Sequence, residues 1–553
     1  MQSEDDIATI PRMARAGARR FGDRLLILRA EQRLSYQEAD LVSAGLARSL
    51  IASGLGKGSR VGILLPNGPD WVVSWLAAAR IGATVIPLST FYTEPELAWV
   101  MRHADVQTLF TLSTYQGNDY LAHLETHAVG LAGQPAGFLA VPELPALRAV
   151  YTWDAPEVER SWVEPAREIS PGSRGPDAVD PALLEAIEQA VTPADPMTVI
   201  YSSGSSGQPK GAVHSHGAVI RQASYLSSLR SLGPDDRIYS AMPFFWVGGF
   251  VYTLVSAMVR GSGILCDVAF DAGATLALLE REHATVVDGF PQHEKAMCEH
   301  QSFLSRDLSS VRAGSLAALL PERLRPKDPE LRSNSLGMTE TCAAHAADRS
   351  DVDLPESSRG SFGKPVPGVQ HKIVDPETGQ PLAPGVEGEI CVRGRSLLQA
   401  LYKVEREETF DSDGYYHTGD AGYFNSDGVL FFSGRLGEMI KTGGANVTPS
   451  EVEGVLESFP EVELALVVGV PDPVRGQNVA AAVVPVRGAA LEAKELHARL
   501  RPALSTFKVP RHLFLLQRDE LPLTDTGKVD KRTLSLELAE RVEGESESRS
   551  GLS

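Results

Sequence analysis

Short apolar segments alternate with a helical pattern near the start of the chain. Residues 61–65 and 83–86 are short, predominantly apolar runs, and residues 71–81 between them form an apolar helix pattern. Strands that are apolar on both faces are typical of a parallel sheet that helices cover. Because parallel strands need a long crossover, usually a helix, this alternation predicts an α/β fold with helix-covered, mostly parallel sheets.

Two capping patterns predict where helices begin. Ser35 is followed three residues later by Glu38, and apolar residues at helical spacing come after this pair. Thr93 and Glu96 repeat the arrangement. A Ser or Thr side chain and a Glu three residues on can satisfy the free amides of a helix start reciprocally. We therefore expect one helix after Ser35 and another after Thr93.

The length of 553 residues predicts two or more domains. Strand patterns at 464–470, 479–486 and 513–516, with a helical pattern around 494–504, suit a compact α+β unit of about 100 residues. Residues 165–195 are rich in Pro, Gly, Ser and Asp, and we expect a surface excursion there. The predicted parts are a large N-terminal domain at 1–436, a small, mobile α+β C-terminal domain at 437–540 and a disordered polar tail at 541–553.

Composition narrows the choice of partners. The chain has 52 Lys and Arg against 71 Asp and Glu, a formal charge of −19, which disfavours nucleic acid or an anionic membrane surface. The four cysteines form no Cys-x-x-Cys pair, which favours reduced thiols over a zinc site. The acidic N-terminus lacks signal-peptide features, and no run of about 18 apolar residues occurs. We therefore expect a cytoplasmic protein with no transmembrane segment.

A serine- and glycine-rich segment follows the apolar residues 199–200. It contains Ser202, Ser203, Gly204, Ser205, Ser206, Gly207 and Lys210. The glycines let backbone amides converge, the hydroxyls can donate, and the lysine supplies positive charge, as a polyphosphate requires. The spacing differs from that of P-loop kinases and GTPases, because Gly211 stands where their Ser or Thr follows the lysine. The segment therefore predicts a nucleotide phosphate site of another kind.

Further motifs follow this segment in order. They are Met-Pro-Phe-Phe-Trp at 242–246, Leu-Gly-Met-Thr-Glu at 336–340, Tyr-His-Thr-Gly-Asp at 416–420, Gly-Arg at 434–435, Pro-Ser-Glu at 449–451 and Thr-Gly-Lys at 526–528. The set resembles the signature of the adenylate-forming superfamily, which includes acyl-CoA synthetases, firefly-type luciferases and the adenylation domains of peptide synthetases. The resemblance covers nearly the whole chain and is closest in type to the acyl-CoA synthetases. It implies an active site in the cleft between the two domains.

The resemblance assigns roles in a nucleotide site. Asp420 resembles the carboxylate that accepts hydrogen bonds from the ribose hydroxyls, and Arg435 resembles the arginine beside that sugar. Thr339 resembles the hydroxyl that contacts the α-phosphate, and Glu340 resembles the Mg²⁺ ligand, a hard oxygen donor that suits this metal. Lys528 resembles the catalytic lysine, which would stabilise the charge that gathers when a carboxylate attacks the α-phosphorus. The implied ATP and AMP site comprises Ser202, Ser203, Gly204, Ser205, Ser206, Gly207, Lys210, Gly337, Met338, Thr339, Asp420, Arg435 and Lys528.

The resemblance also implies an acyl pocket, a hinge and a loop for the second reaction step. The predicted pocket residues are Phe245, Trp246, Gly248, Gly249, Gly289 and Phe290. Gly437 stands at the family's hinge position. The loop that would serve thioester formation contains Lys441, Gly443 and Gly444.

Three positions depart from the family's usual pattern. Trp246 stands where the family often has His, and Leu336 replaces an aromatic residue that often precedes the Gly-Met-Thr-Glu run. Gly437 replaces an Asp or Lys at the hinge. The departures bear on acyl preference, on the surface offered to adenine and on the domain movement, while the groups for the core chemistry are all present.

Three other polar residues are near these motifs. We interpret His214 and His216, which follow the serine-rich segment, as structural, because a carboxylic acid substrate is already ionised at neutral pH and needs little help from a base. Asp288 is the only candidate for pairing with the ammonium of an amino-acid substrate. The largely apolar pocket residues favour a fatty or aromatic acid instead.

The sequence thus predicts an acid–thiol ligase that uses ATP, Mg²⁺ and coenzyme A. The acid would become an acyl-adenylate with release of pyrophosphate, and then a thioester, as in fatty acid metabolism. Two alternatives stay open: an adenylation enzyme that loads a carrier protein in trans, and a nucleotide-binding homologue without activity. A homodimer is also open, and the identity of the acid is not determined at this level.

Overall fold

The computed structural model describes residues 8–167, 179–202, 209–349, 351–436, 439–523 and 529–550. The chain divides into two compact units. The first unit comprises Met1–Thr90, Leu97–Ser202 and Gly211–Gly434, and the second comprises Phe91–Glu96, Ser203–Lys210 and Arg435–Ser553. The predicted boundary residue, Gly437, lies outside the described residues.

The helices and strands of the described residues are numbered in chain order. The helices are α1 (Ile10–Phe21), α2 (Tyr36–Ala52), α3 (Pro69–Arg80), α4 (Glu94–His103), α5 (Tyr120–His127), α6 (Pro181–Ala190), α7 (His216–Leu229), α8 (Ser256–Arg260), α9 (Ala272–Arg281), α10 (Pro291–Glu299), α11 (Arg406–Thr409), α12 (Pro449–Glu457), α13 (Ala493–Leu500) and α14 (Lys531–Ser550). The strands are β1 (Leu25–Arg29), β2 (Gln32–Ser35), β3 (Arg60–Leu64), β4 (Thr84–Pro87), β5 (Thr108–Thr111), β6 (Thr114–Tyr115), β7 (Asn118–Asp119), β8 (Ala149–Thr152), β9 (Val163–Pro165), β10 (Pro196–Ser202), β11 (Lys210–Ser215), β12 (Arg237–Ser240), β13 (Gly263–Cys266), β14 (Val286–Asp288), β15 (Leu336–Met338), β16 (Ala343–Ala347), β17 (Lys364–Pro365), β18 (Val369–Val374), β19 (Gly388–Gly394), β20 (Ala400–Leu401), β21 (Tyr416–Phe424), β22 (Leu430–Arg435), β23 (Ile440–Thr442), β24 (Ala445–Val447), β25 (Val462–Asp472), β26 (Gly476–Pro485) and β27 (His512–Leu515).

Two mostly parallel sheets form the body of the first unit. One has the strand order β20-β11-β10-β4-β3-β5-β8-β9, and the other has the order β14-β12-β13-β1-β2. Strands β3, β4, β5 and β10 pair in parallel, whereas β11 and β20 are antiparallel. The predicted fold class is therefore confirmed.

Helix α3 lies between these two sheets. It contacts β3 and β4 of the first sheet and β1 and β2 of the second. Every residue of α3 except Asp70 in its first turn is buried, which explains why the rest of the helix is apolar on nearly every side. Arg80, the last residue of the helix, is fully buried and donates to Glu188 on α6 at 2.5 Å.

Helix α6 corrects the expectation for residues 165–195. We predicted a surface excursion, and part of that stretch, 168–178, lies outside the described residues. Residues Pro181–Ala190 instead form a helix, which Asp180 caps by accepting from the Ala182 amide at 2.8 Å. Leu184 and Glu188 are buried, so the helix packs on the body of the unit.

The first unit also has an antiparallel sheet with the order β18-β19-β21-β22, a small sheet with the order β15-β16-β17 and the two-stranded sheet β6-β7. The capping box predicted at the start of α2 is confirmed. The Glu38 amide donates to Ser35 Oγ at 3.1 Å, and the Ser35 amide donates to the Glu38 carboxylate at 2.8 Å. Helix α2 begins immediately afterwards.

The second unit is a small α+β structure. Its sheet has the order β24-β23-β26-β25, and β27 joins β26 in parallel. Helices α12 and α13 cover one core, and α14 packs through Leu534 and Leu538 on another. Helix α14 continues to Ser550, so the expected disordered tail at 541–553 is wrong for residues 541–550; Val542 packs on the same core and extends the helix.

No helix among the described residues combines the length and the apolar character that crossing a membrane requires.

Candidate active site

The serine-rich segment connects two neighbouring strands near one edge of the larger sheet. Strand β10 ends at Ser202, and Lys210 is the first residue of β11. The predicted phosphate-site residues Ser203, Gly204, Ser205, Ser206 and Gly207 lie outside the described residues. The segment leaves the carboxyl end of a parallel strand, where open α/β sheets usually bind ligands.

Gly211 has a packing reason that explains the departure from the P-loop pattern. A Cβ atom at this position would lie 2.6 Å from Val199 Cγ1 and 3.1 Å from the Tyr201 ring. A Ser or Thr after the lysine would therefore collide with the neighbouring strand. The glycine serves strand packing and is not a metal-binding position.

Glu340 lies beside the end of β10. The Ser202 hydroxyl donates to Glu340 Oε1 at 3.0 Å, and the Leu398 amide donates to the Glu340 carbonyl at 2.9 Å. The glutamate is 6% exposed. The structure thus brings together two predicted site residues that are 138 positions apart.

The turn that carries Thr339 and Glu340 is held in an unusual backbone conformation. Cys342 and Ala343 have φ angles of 58° and 94°, the left-handed region that non-glycine residues seldom adopt. Gly337 is needed on the opposite strand, because a Cβ there would lie 2.2 Å from the Ala343 carbonyl oxygen. Such strained turns persist where the surroundings fix them, as at ligand sites.

His214 fixes this turn from the strand that follows the serine-rich segment. Its Nε2 donates to the Thr339 carbonyl at 2.8 Å. Burial lowers the pKa of His214 to about 4, so the ring is neutral at physiological pH. His216 accepts from the Ile10 amide at 3.3 Å, and burial lowers its pKa to about 3. Both contacts support the structural interpretation of the two histidines.

Asp420 sits in an irregular part of β21. It is 2% exposed, and its amide donates to the Thr418 hydroxyl at 3.0 Å. The next strand, β19, supplies Glu389, whose Oε1 accepts from the Gly419 amide at 3.1 Å. Sequence analysis missed Glu389, because nothing in the motif at 416–420 indicates which residue of another strand supports it.

The motif at 242–246 is anchored by its backbone. Asn67 Nδ2 donates to the Met242 carbonyl at 2.8 Å, and Asn67 Oδ1 accepts from the Phe244 amide at 2.7 Å. The motif leads into a π-helical segment at Gly248–Val255. A Cβ on Gly249 would lie 2.1 Å from the Pro243 carbonyl oxygen, so this glycine permits close backbone packing. π-Helical turns of this kind are often found at functional sites.

The predicted acyl residues form an aromatic cluster. The Trp246 ring lies 5.5 Å from Phe245 and 6.5 Å from Phe290, both edge to face. His293 continues the cluster, 5.5 Å from Phe290 and 4.4 Å from Phe270. Burial lowers the pKa of His293 to about 4, so it is uncharged at neutral pH. The structure therefore places Phe245, Trp246 and Phe290 together, and Gly289 packs against Leu316 and His293 beside them.

Asp288, which precedes Gly289, is already paired. Its Oδ2 accepts from Arg230 Nη2, and its Oδ1 accepts from the Ser315 amide at 3.1 Å. The side chains are 7% and 1% exposed for Arg230 and Asp288. Arg230 also donates to the Tyr252 carbonyl at 2.8 Å and lies 3.9 Å from the Tyr252 ring centroid. No sequence pattern indicates this pair, whose members are 58 residues apart.

In the second unit, Lys441 lies in β23 and is followed by a tight turn. Gly443 and Gly444 have φ angles of 56° and 84°, as a two-residue hairpin between β23 and β24 requires. Arg435 is the last residue of β22, and its side chain lies outside the described part of the structure. The predicted hinge Gly437 and the predicted catalytic Lys528 lie outside the described residues.

Comparison with known proteins gives a consistent result. The model of the AMP-binding enzyme family matches residues 14–402, and that of the AMP-binding enzyme C-terminal domain matches residues 451–528. An indoleacetate–CoA ligase of Aromatoleum aromaticum is 31% identical over 91% of this chain and 92% of its own length. A feruloyl-CoA synthase of an Amycolatopsis species is 31% identical over 90% and 92%. The structure of an amide bond synthetase from Marinactinospora thermotolerans is 27% identical, with a TM-score of 0.72 over 96% of this chain and 99% of that one.

The two family matches together span well over half of the chain. The chain therefore belongs to the AMP-binding enzyme family, within the adenylate-forming superfamily, and is an AMP-forming acid–thiol ligase.

Proposed function

We propose that this enzyme activates a ring-bearing carboxylic acid with ATP and transfers the acyl group to coenzyme A. In the first step an oxygen of the carboxylate forms a bond to the α-phosphorus, and pyrophosphate leaves. In the second step the sulfur of coenzyme A forms a bond to the acyl carbon, and AMP leaves. The net products are a thioester, AMP and pyrophosphate.

The pairing of Asp288 with Arg230 is the main evidence on which class of acid the enzyme uses. An amino-acid substrate needs a carboxylate for its ammonium group, and Asp288 was the candidate. Arg230 and the Ser315 amide already occupy both of its oxygens, and the side chain is buried. Arg230 already neutralises the Asp288 charge, so an ammonium placed there would add a second, uncompensated positive charge to a buried pair or displace Arg230, and each is costly. An acid without a positive charge is therefore favoured.

The aromatic cluster supports a ring over a simple alkyl chain. Trp246 and Phe290 present rigid faces and edges, and aromatic pairs in such edge-to-face geometry gain about 0.5–1.5 kcal/mol beyond their buried area. Two relatives at 31% identity are named for indoleacetate and for a feruloyl group, both of which carry a ring. We propose an aryl or arylalkanoic acid on these grounds.

The nucleotide end of the site rests on Glu340 and Asp420. Glu340 is buried, and the described partner of its carboxylate is the neutral Ser202 hydroxyl. That environment fits a hard divalent cation, so Glu340 would hold Mg²⁺, which supplies positive charge to the triphosphate. Asp420 would accept from the ribose hydroxyls.

The remaining assignments are proposals from the sequence motifs. Lys528 would stabilise the charge of the first step, and Arg435 would contact the ribose. Gly437 would act as the hinge for a movement that brings the loop of Lys441, Gly443 and Gly444 into use for the second step.

The test is a panel of acids assayed for pyrophosphate release with ATP and Mg²⁺. It should contain indoleacetate, ferulate, phenylpropanoate, octanoate and phenylalanine. We expect kcat/KM for the ring-bearing acids to exceed that for octanoate by about tenfold or more. That is about the discrimination that one or two methylene groups produce in an apolar pocket. Phenylalanine, which differs from phenylpropanoate by its ammonium group, should be nearly inactive. Equal activity with this matched pair would contradict the argument from Asp288.

The acceptor is tested separately with the best acid. Coenzyme A, a purified acyl-carrier protein and a simple amine are offered in turn, because one structural relative is an amide bond synthetase. We expect the thioester with coenzyme A to dominate. Product only with the carrier protein or with the amine would replace coenzyme A as acceptor, and no pyrophosphate release with any acid would favour a homologue without activity.

A further inference from the structure

The segment that carries Asp420 is a bulge between two antiparallel strands. Strand β19 pairs with β21 through Glu389 and Ala421, and the next pair is Cys391 with His417. Between these pairs β19 has a single residue, Ile390, whereas β21 has three, residues 418–420. The extra residues must leave the ladder, and Gly419 accordingly has a φ of 70°.

Glu389 holds both sides of this bulge with one carboxylate. Its Oε1 accepts from the Gly419 amide at 3.1 Å, and its Oε2 accepts from His417 Nδ1 at 2.7 Å. The glutamate side chain is 13% exposed and that of His417 is 42% exposed, so the contact with the Gly419 amide is the more shielded of the two. Hydrogen bonds to a charged acceptor in such a place are stronger than neutral ones.

The Thr418 hydroxyl completes the support from inside the bulge. It donates to the Ile390 carbonyl at 2.6 Å and accepts from the Asp420 amide at 3.0 Å. The backbone of residues 418–420 is therefore fixed to β19 at two adjacent points, one of them the Glu389 carboxylate. The position of Asp420 depends on both.

The same neighbourhood could be mistaken for a metal site. Glu389, Cys391 and His417 bring one potential ligand atom each within 4.8 Å of one another. However, His417 Nδ1 already donates to Glu389 Oε2, and Glu389 Oε1 already accepts from the Gly419 amide. The geometry is that of a hydrogen-bonded support.

We propose that Glu389 is a positioning residue for nucleotide recognition, acting through Gly419 and His417 to set the Asp420 carboxylate against the ribose hydroxyls. The inference rests on the proposed role of Asp420 in the function above. Glu389 itself does not touch the nucleotide in this proposal. A side chain that only stabilised the sheet would leave ribose recognition unchanged in the folded protein.

The experiment measures dissociation constants for ATP and for 2′,3′-dideoxy-ATP by calorimetry, without any acid. The ratio of the two constants reports ribose recognition and does not depend on the fraction of folded protein. For the native chain we expect a preference for ATP of about 10- to 100-fold, from hydrogen bonds of the hydroxyls to a charged acceptor. In Glu389→Ala we expect this ratio to fall at least about fivefold, towards that of Asp420→Ala.

Three further variants sharpen the test. Glu389→Gln keeps one acceptor oxygen and should give an intermediate ratio. Cys391→Ala is the matched control: it removes a thiol that contacts His417 but makes no hydrogen bond to the described residues 418–420. Its ratio should stay within about twofold of the native one. Combining Glu389→Ala with Asp420→Ala should lower the ratio no further than Asp420→Ala alone, because the two residues act as one unit.

The outcomes separate this inference from the proposed function. A ratio that falls in Asp420→Ala but not in Glu389→Ala overturns the positioning role and leaves the ribose site in place. A ratio that changes in neither variant overturns the positioning role together with the assignment of Asp420. Acid-dependent pyrophosphate release by the native chain tests the proposed reaction in either case.

Discussion

Replacing Arg230 with Met should destabilise the enzyme strongly, although Arg230 belongs to none of the sequence motifs. The variant leaves the Asp288 carboxylate buried, with the Ser315 amide as its remaining described hydrogen-bond donor. Methionine keeps most of the apolar stem, so packing is largely conserved. The main loss is compensation of a buried charge.

The magnitude follows from the environment of the pair. Both side chains are at least nine-tenths buried, and removing one partner of such a pair costs about 3–5 kcal/mol. The lost donor to the Tyr252 carbonyl and the lost contact with the Tyr252 ring act in the same direction. Against a typical total stability of about 5–15 kcal/mol, the variant should still fold but unfold at clearly lower denaturant.

A double-mutant cycle isolates the pair. Urea unfolding followed by far-UV circular dichroism is measured for the native chain, Arg230→Met, Asp288→Leu and the double variant. We expect the double variant to lie within about 1 kcal/mol of the native chain, since apolar residues of similar volume often replace a buried pair without loss. A loss below about 1 kcal/mol in Arg230→Met, or additive losses in the cycle, would show that Asp288 is not held by Arg230.

Four further predictions concern the reaction and the pH dependence of stability. Lys528→Ala should lower adenylate formation by about 10²–10³-fold while sparing thioester formation from a supplied acyl-adenylate; equal losses in single-turnover assays of both steps would contradict its role. Gly437→Pro should spare one half-reaction and block the other, because proline fixes φ near −65°, whereas matched losses would count against a hinge. Trp246→Ala should change the order of preferred acids, by about 1–3 kcal/mol in discrimination, with the apparent constant for ATP nearly unchanged; a collapse of ATP binding instead would refute its placement in the acyl site. Burial lowers the pKa of His214 to about 4, so the stabilisation that depends on its neutral ring should be complete above about pH 6.5 and decline as the pH falls towards 4. His214→Gln should therefore weaken the dependence of the unfolding free energy on pH, measured by urea titration at about pH 7.5, 6 and 5. An unchanged pH dependence would mean that the ring is not held neutral.

Local signals in the sequence located several elements of the fold. The Ser35–Glu38 pattern specifies a helix start through contacts three residues apart, and α2 begins where it predicts. The apolar runs at 61–65 and 83–86 fall on β3 and β4, which pair in parallel. Helix α6 was missed although Asp180 and Pro181 are a good helix start, because the polar residues around them dominated the local composition.

The candidate site was predictable where a motif is continuous along the chain. Thr339 and Glu340 lie together on one turn, and Trp246 lies beside Phe245. The contacts that position them come from distant segments, such as His214 on Thr339 and Ser202 on Glu340. Sequence spacing carries no information about such contacts, since each depends on how strands are ordered in a sheet.

Buried polar groups show why this limit matters for function. The sequence made Asp288 a candidate for binding a substrate ammonium, but in the structure it is paired with Arg230, 58 residues away along the chain. No sequence motif indicates Glu389, whose carboxylate accepts from the Gly419 amide because of the bulge in β21. In both cases the low local dielectric makes an unpaired charge expensive, so the side chain that neutralises or supports it determines what the site can accept. The acid preference and the ribose preference of this enzyme should therefore respond to substitutions at Arg230 and Glu389, two residues that none of its sequence motifs contain.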